Sequence, residues 1–384
     1  MPARPRRRLL LAALACGAVA IGATAAWPHV RSLALLLDLG GRHDGVRRWL
    51  PVARAPVAQH DIELPTRHGP LPARVYAPDG RSRHTLAVFP GIHSGGIDEP
   101  RLVTFSERLA AAGYVVVSVP LPDLRAFRIT TRSTDHIEDA IRAIAESAWS
   151  GRRSVGVVGV SFAGGLALVA AGRPSLDGRV TAVFSIGGHG DLPRTLQSLC
   201  GEDPLNAGVP VAHIYALGVV LRSVSPHVVP RDQVGRLEDA STAFLEAHAL
   251  PPERGNPLLD ELRDRVRGWP EPTVSLVRQM LDGDAASLCR AVAPHIEAVS
   301  GDPALSPERS PLPHVPIFLL HGEGDRVIPS TETPRLAAKL RARGHEDVHW
   351  LVTPAVVHVE LEARLSWPVL WRLVRFWTRM FDAL

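Results

Sequence analysis

The sequence predicts an α/β protein: a mostly parallel sheet covered by helices on both faces and interrupted by a helical insertion. Three observations predict it. Short apolar runs rich in β-branched residues alternate with helix-like segments over 59–190 and again over 313–384. Strands apolar on both sides belong to sheets buried on both faces. One of these runs, Ser154 to Val160, passes through Gly159-Val160-Ser161-Phe162-Ala163-Gly164-Gly165 straight into a helix-like run, Leu166 to Ala171. Between 191 and 312 the strand signals fade, and Pro-rich breaks separate helical stretches instead.

The elements follow in order. His60 to Leu64 and Ala73 to Tyr76 read as a hairpin, with His68-Gly69-Pro70 near its turn. Thr85 to Phe89 is a strand ending at Pro90-Gly91. Pro100 to Ala112 reads as a helix stopped by Gly113, and Tyr114 to Val119 as a buried strand. Asp135 to Ala148 is helical, with Ile137, Ile141 and Ile144 on one face. Val180 to Ile186 is the strand after the Ser161 unit. Within the insertion, Val211–Leu221, Arg231–Ala249, Pro257–Arg267 and Val274–Leu281 are helical. Val315 to Leu320 and Asp347 to Val352 are the last two strands. The chain closes on a helix from Trp367 to Phe381. Its Trp367, Leu370, Trp371, Val374, Trp377 and Phe381 recur at helical spacing, which suits core packing or, alternatively, a membrane interface.

A chain of 384 residues, 46% hydrophobic and 21% charged, is long enough for one large core plus an insert. Its formal charge of +4 is local: Arg4, Arg6, Arg7 and Arg8 precede the first apolar run, and no acid occurs before residue 38. The body is therefore near neutral, and nothing in it calls for nucleic acid. Leu9 to Ala26 is an uncharged, mostly apolar run of 18 residues. A basic start, an apolar run and Ala23-Thr24-Ala25 fit a cleaved signal peptide, and the length equally fits a single membrane anchor. Both readings export the body, and the anchor reading adds membrane contact through this segment. Residues 27–58 read as a linker with a short helix outside the core, whose apolar stretch Leu33 to Leu39 packs either on the membrane or on the body. Cys200 and Cys289 are the only cysteines of the body, either a disulfide or two buried thiols.

The candidate chemistry lies at the ends of strands. Ser161 stands at the apex of the strand-to-helix turn. Ala163 occupies the position of the second glycine in the G-x-S-x-G pattern. Asp325 lies in His321-Gly322-Glu323-Gly324-Asp325-Arg326-Val327-Ile328-Pro329, after the Val315–Leu320 strand. His358 follows the last strand, in Pro354-Ala355-Val356-Val357-His358. With Ser161, Asp325 and His358 in that chain order, the sequence resembles the α/β-hydrolase superfamily over about 60–190 and 312–384. The resemblance implies the α/β-hydrolase fold, with residues 191–312 as a helical cap that roofs the site or, alternatively, only stabilises it. It implies a serine hydrolase acting on carboxylic esters of small molecules, with short acyl or peptidyl substrates, and hence a peptidase or amidase, as the alternative. A non-catalytic binding protein of the same fold is the third reading. Ser161 would be nucleophile, His358 base, and Asp325 the residue that orients the imidazole. The oxyanion would be held by the backbone N–H groups of Phe162 and Ile92, the latter in Pro90-Gly91-Ile92-His93-Ser94-Gly95-Gly96. Pro90 stands where the superfamily's His-Gly turn has its histidine.

Each role has a rival. Asp191 follows the Val180–Ile186 strand and competes as the acid. His349 competes as the base but falls inside a strand, which suggests packing. His93 reads as a loop or pocket residue, Glu323 as a solvated one, and His136 as a lone surface histidine. No H-e-x-x-h pattern or cysteine spacing suggests a metal, and no cofactor is expected.

Overall fold

The computed structural model describes residues 26–41, 45–50, 52, 54–80, 82, 84–201, 214–357, 360–361 and 365–384. Eight strands form one sheet: β1 (Val57–Leu64), β2 (Leu71–Pro78), β3 (Thr85–Phe89), β4 (Val115–Ser118), β5 (Val155–Val160), β6 (Val180–Ile186), β7 (Ile317–Gly322) and β8 (Val348–Thr353). Their order is β1-β2-β4-β3-β5-β6-β7-β8. β2 runs antiparallel to both neighbours, and every pairing from β4 to β8 is parallel. Register aligns the strand ends. Phe89 stands beside Gly159, Val160 beside Ile186, Ile186 beside Leu320, and Gly322 beside Thr353. The segments after β3, β5, β6, β7 and β8 therefore all leave the sheet at one rim. After β8 comes a small hairpin, β9 (Val356–Val357) with β10 (Glu360–Leu361). Its two-residue connection holds the predicted base, His358, which lies outside the described residues.

Helices cover both faces. They are α1 (26–39), α2 (Pro100–Ala111), α3 (Pro122–Arg125), α4 (Arg132–Glu146), α5 (Phe162–Ala171), α6 (Leu192–Ser198), α7 (Ile214–Val228), α8 (Val234–His248), α9 (Pro252–Arg265), α10 (Thr273–Leu281), α11 (Ala285–Val292), α12 (Ile296–Ser300), α13 (Glu332–Ala342) and α14 (Trp367–Asp382). The start of α2 shows why the sequence folds this way locally. Glu99 accepts the Leu102 N–H at 2.9 Å, and Pro100 sits where a missing N–H costs nothing. α4 buries Ile137, Ile141 and Ile144, spaced by four and three residues, against the sheet.

One face carries α4, α5 and α13, and their core runs on without a break into the insertion through Leu217, Leu237, Phe244 and Met280. The other face carries α1, α2 and α14 around Phe184, Phe318, Phe376 and Trp377. Of the two surfaces open to the apolar stretch Leu33–Leu39, membrane or body, α1 packs on the body. Leu35 and Leu36 of α1 belong to the second core cluster, each burial contributing about 1.5–3 kcal/mol. Asp38 can be buried among them because Arg54 and Arg47 bind its carboxylate. Burial alone would raise its pKa, but those hydrogen bonds outweigh it and hold the group below the usual carboxylate range.

The sulfurs of Cys200, just after α6, and Cys289, in α11, are joined in a disulfide, which resolves the pairing that the sequence leaves open. Among the described residues no helix is long and apolar enough to cross a membrane. The predicted signal or anchor, Ala26 apart, lies outside them.

Candidate active site

Ser161 occupies the turn between β5 and α5 with φ +53° and ψ −128°. A non-glycine residue seldom adopts a positive φ, and strain of this kind persists only where packing enforces it. The packing is visible in the glycines. A Cβ on Gly159 would lie 2.4 Å from the Ala163 carbonyl oxygen, and one on Gly164 would lie 2.4 Å from Ser185 Oγ. Strand and helix are in contact at the turn, so the serine is driven outward. Ala163 is fully buried and fits, so the turn closes without the second glycine. The Ser161 N–H donates to the Ile186 carbonyl at 2.6 Å, which ties the turn to the end of β6.

The loop after β3 passes directly over this serine. A Cβ placed on Gly91 would stand 2.8 Å from Ser161 Cβ and 3.4 Å from its Oγ. Only glycine allows that approach. Ile92 follows immediately, and its carbonyl accepts the Tyr215 hydroxyl at 3.2 Å. Phe162, as first residue of α5, has no helical acceptor for its N–H, and the positive end of the helix dipole adds to that donor. Both predicted oxyanion donors thus flank the serine, one in sequence and one across the Gly91 contact.

Asp325 lies in the loop after β7 with its side chain fully buried. The Val327 and Ile328 N–H groups donate to Oδ1 at 2.8 and 3.1 Å, which fixes the carboxylate. His321 braces the same loop. Its Nε2 donates to the Ile328 carbonyl at 2.9 Å, its Nδ1 accepts from Thr333 Oγ1 at 2.8 Å, and Nε2 stands 3.5 Å from Asp325 Oδ2. With β6 between β5 and β7, Ser161 and Asp325 rise from strands about 10 Å apart. The residues nearest His358 that the structure describes place the chain at this rim. Ala355 and Val356 are buried, and the Ala355 N–H donates to Thr353 Oγ1 at the end of β8.

The rivals have other occupations. Asp191 caps α6, accepting the Arg194 N–H at 3.0 Å, and pairs with Arg309 at 2.6 Å. His349 stacks on Phe318 at 4.9 Å and contacts Asp347 Oδ1 at 2.8 Å, the packing role its strand position suggests. His93 accepts the Gly95 N–H on Nδ1 at 3.0 Å and shapes its own loop. Glu323 is exposed. His136 is a correction: it is buried, not on the surface, packed edge-on against His68 at 5.2 Å. Among the described residues no group of histidine, cysteine, aspartate or glutamate side chains is arranged to hold a metal ion.

Two neighbours of the site had no sequence signal. His189, fully buried after β6, lies 4.8 Å from the Phe162 ring, and its Nε2 bonds the Leu305 carbonyl at 2.8 Å. A Cβ on Gly165 would run into its imidazole at 2.5 Å. Tyr215, in the first turn of α7, is the point at which the insertion meets the Ile92 loop.

No family model matches the chain, and no curated protein matches it in sequence. Solved structures with a similar chain path include an esterase from Pyrobaculum calidifontis, at 17% identity and TM-score 0.48, covering 93% of this chain and 92% of that one. A thermostable carboxylesterase cloned from a metagenomic library gives 17% and 0.46, covering 87% and 92%. An acylaminoacyl peptidase from Pyrococcus horikoshii gives 12% and 0.48, covering 87% of this chain but 42% of the peptidase. By its own topology, with eight mostly parallel strands, a strand–serine–helix elbow and a helical insertion after β6, the chain has the α/β-hydrolase fold.

Proposed function

We propose that this protein is an exported serine hydrolase that cleaves carboxylic esters of small molecules through an acyl-enzyme. The observation that carries the reading is Ser161 itself, held at φ +53° beneath the Gly91 loop and beside two candidate oxyanion donors. A serine hydroxyl is a weak nucleophile until a base takes its proton. In this reading His358 accepts the Ser161 proton as Oγ attacks the ester carbonyl. Asp325, fixed by two backbone N–H groups, holds the imidazole in the required tautomer and stabilises the imidazolium. The Ile92 and Phe162 N–H groups receive the oxyanion of the tetrahedral intermediate. His358 then returns its proton to the departing alcohol. A water, deprotonated by the same imidazole, releases the acid and restores Ser161.

The test is hydrolysis of short p-nitrophenyl esters set against aminoacyl anilides. Ester turnover that falls at least about a thousandfold in Ser161→Ala and in His358→Ala supports the reading. Preference for anilides would make the protein a peptidase or amidase of the same fold. Retained turnover in Ser161→Ala would remove this serine from the chemistry.

A further inference from the structure

Three of the protein's eight tryptophans lie at the neighbouring N-terminal ends of α1 and α14. All three are exposed, Trp27 by 41%, Trp367 by 63% and Trp371 by 41%. The two ends are joined. His29 stacks on Trp371 at 5.4 Å, Trp367 stacks on Trp371 at 6.3 Å, and Thr378 Oγ1 contacts Ser32 Oγ at 3.0 Å. α14 buries Leu373, Val374, Trp377 and Met380 in the core, so packing does not require the other two indoles. On the exposed side they continue into Arg372, Arg375 and Arg379. The only acid of α14, Asp382, is in its last turn.

We propose that this face, Trp27, Trp367 and Trp371 with Arg372, Arg375 and Arg379, rests on a bilayer surface carrying anionic headgroups. Indole has an apolar body and a polar N–H, which suits the boundary between headgroups and acyl chains better than water. Arginines beside it reach the phosphates while their stems lie along apolar surface. A bilayer, not a protein, is the fitting occupant for a second reason. On the anchor reading, the uncharged run Leu9–Ala26 enters the membrane and is followed directly by Trp27, so the chain reaches this face from the bilayer. The body then lies against the leaflet instead of swinging on a tether. This inference does not depend on Ser161 being a nucleophile.

The test uses the full chain reconstituted into phosphatidylcholine vesicles containing about 30% phosphatidylglycerol. Tryptophan emission is quenched by lipids brominated high on the acyl chain. The run Leu9–Ala26 contains no tryptophan, so insertion of that segment alone quenches at most Trp27. The expected result is that Trp367→Ala/Trp371→Ala loses at least about half of the quenchable emission while its circular dichroism and Tm stay at wild type. Reversal of Arg372, Arg375 and Arg379 to Glu lowers quenching in the anionic vesicles and leaves it unchanged in pure phosphatidylcholine. If the double variant keeps the wild-type quenched fraction or raises it, the face does not touch lipid. Cross-linking of Trp371→Cys to a second copy in place of quenching would likewise overturn the proposal.

Discussion

At the scale of single residues, the site depends on two atoms that must almost touch. Gly91→Ala would place a methyl 2.8 Å from Ser161 Cβ, so either the loop lifts or the serine turns away. Gly91 lies between Phe89 of the first core cluster and Ile92, which packs against that cluster, and lifting the loop displaces the Ile92 N–H. The expected outcome is a kcat lower by about a hundredfold, the scale of one lost oxyanion donor. A wild-type kcat would mean that the Gly91 loop does not serve the oxyanion. Ser161 is legible in the sequence because its constraint is local: small residues and a strand-to-helix switch lie within seven positions. The Gly91 contact is not legible, because it joins positions seventy residues apart and exists only once β3 and β5 pair. His136 was misread for a related reason. Its charged neighbours in sequence suggest surface, whereas Arg67 and Arg173, distant in sequence, neutralise those acids and let the helix face close.

At the scale of elements, α7 meets the Gly91–Ile92 loop through the Tyr215 hydroxyl. Tyr215 is half-buried on a partly apolar helix, and its donation to the Ile92 carbonyl fixes the Ile92–His93 peptide, and through the Ile92 backbone restrains the preceding N–H. Removing one such hydrogen bond costs about 1 kcal/mol, a factor of about five. Tyr215→Phe is therefore expected to lower kcat about fivefold with KM little changed, measured on short p-nitrophenyl esters. A change in KM alone would make Tyr215 a pocket wall and not a positioning residue. The strands from β3 to β7 were legible almost to the residue, since continuous apolar runs bounded by Gly and Pro leave few alternatives. α1 was not. Its leucines follow a membrane-like segment, and only the folded chain shows that they complete the face beside α14. The short helices α6, α11 and α12 were also missed, because fewer than nine residues carry too few turns for periodicity to register.

At the scale of the whole molecule, two features order the insertion: the first closes it on itself, and the second ties it to the α/β core. One is the Cys200–Cys289 disulfide, which spans a sequence separation of 89 residues. On the chain-entropy account such a closure contributes about 4 kcal/mol, so Cys200→Ser/Cys289→Ser should lower Tm clearly while leaving turnover at low temperature intact. An unchanged Tm would mean that the link adds nothing to the fold. The other is a buried ion network in which Arg194 binds Glu308 and Glu332, and Arg309 binds Asp191. Burial alone would raise Glu332 and Asp191, but their arginine partners outweigh it and hold both below their usual values. The stability these carboxylates contribute is present above the unfolded pKa of about 4 and is lost as pH falls through the folded values. Burial lowers His189, His136 and His93. The unfolded chain takes up their protons near pH 6.5 while the native state stays neutral, so their contribution also fades as pH falls. Thermal unfolding should thus show Tm declining from about pH 6.5 downward and falling again below about pH 4.5. A flat Tm between pH 7.5 and 5.5 would contradict the histidine part of this account.

The central claim is that Ser161 is an activated nucleophile at the rim of the sheet. The most direct measurement is covalent labelling with a fluorophosphonate, followed by intact mass and peptide mapping of the full chain. The account predicts one adduct per chain, located on the peptide containing Ser161, absent in Ser161→Ala and formed at least about a hundredfold more slowly in His358→Ala. An adduct on another residue, or wild-type labelling of Ser161→Ala, would contradict it.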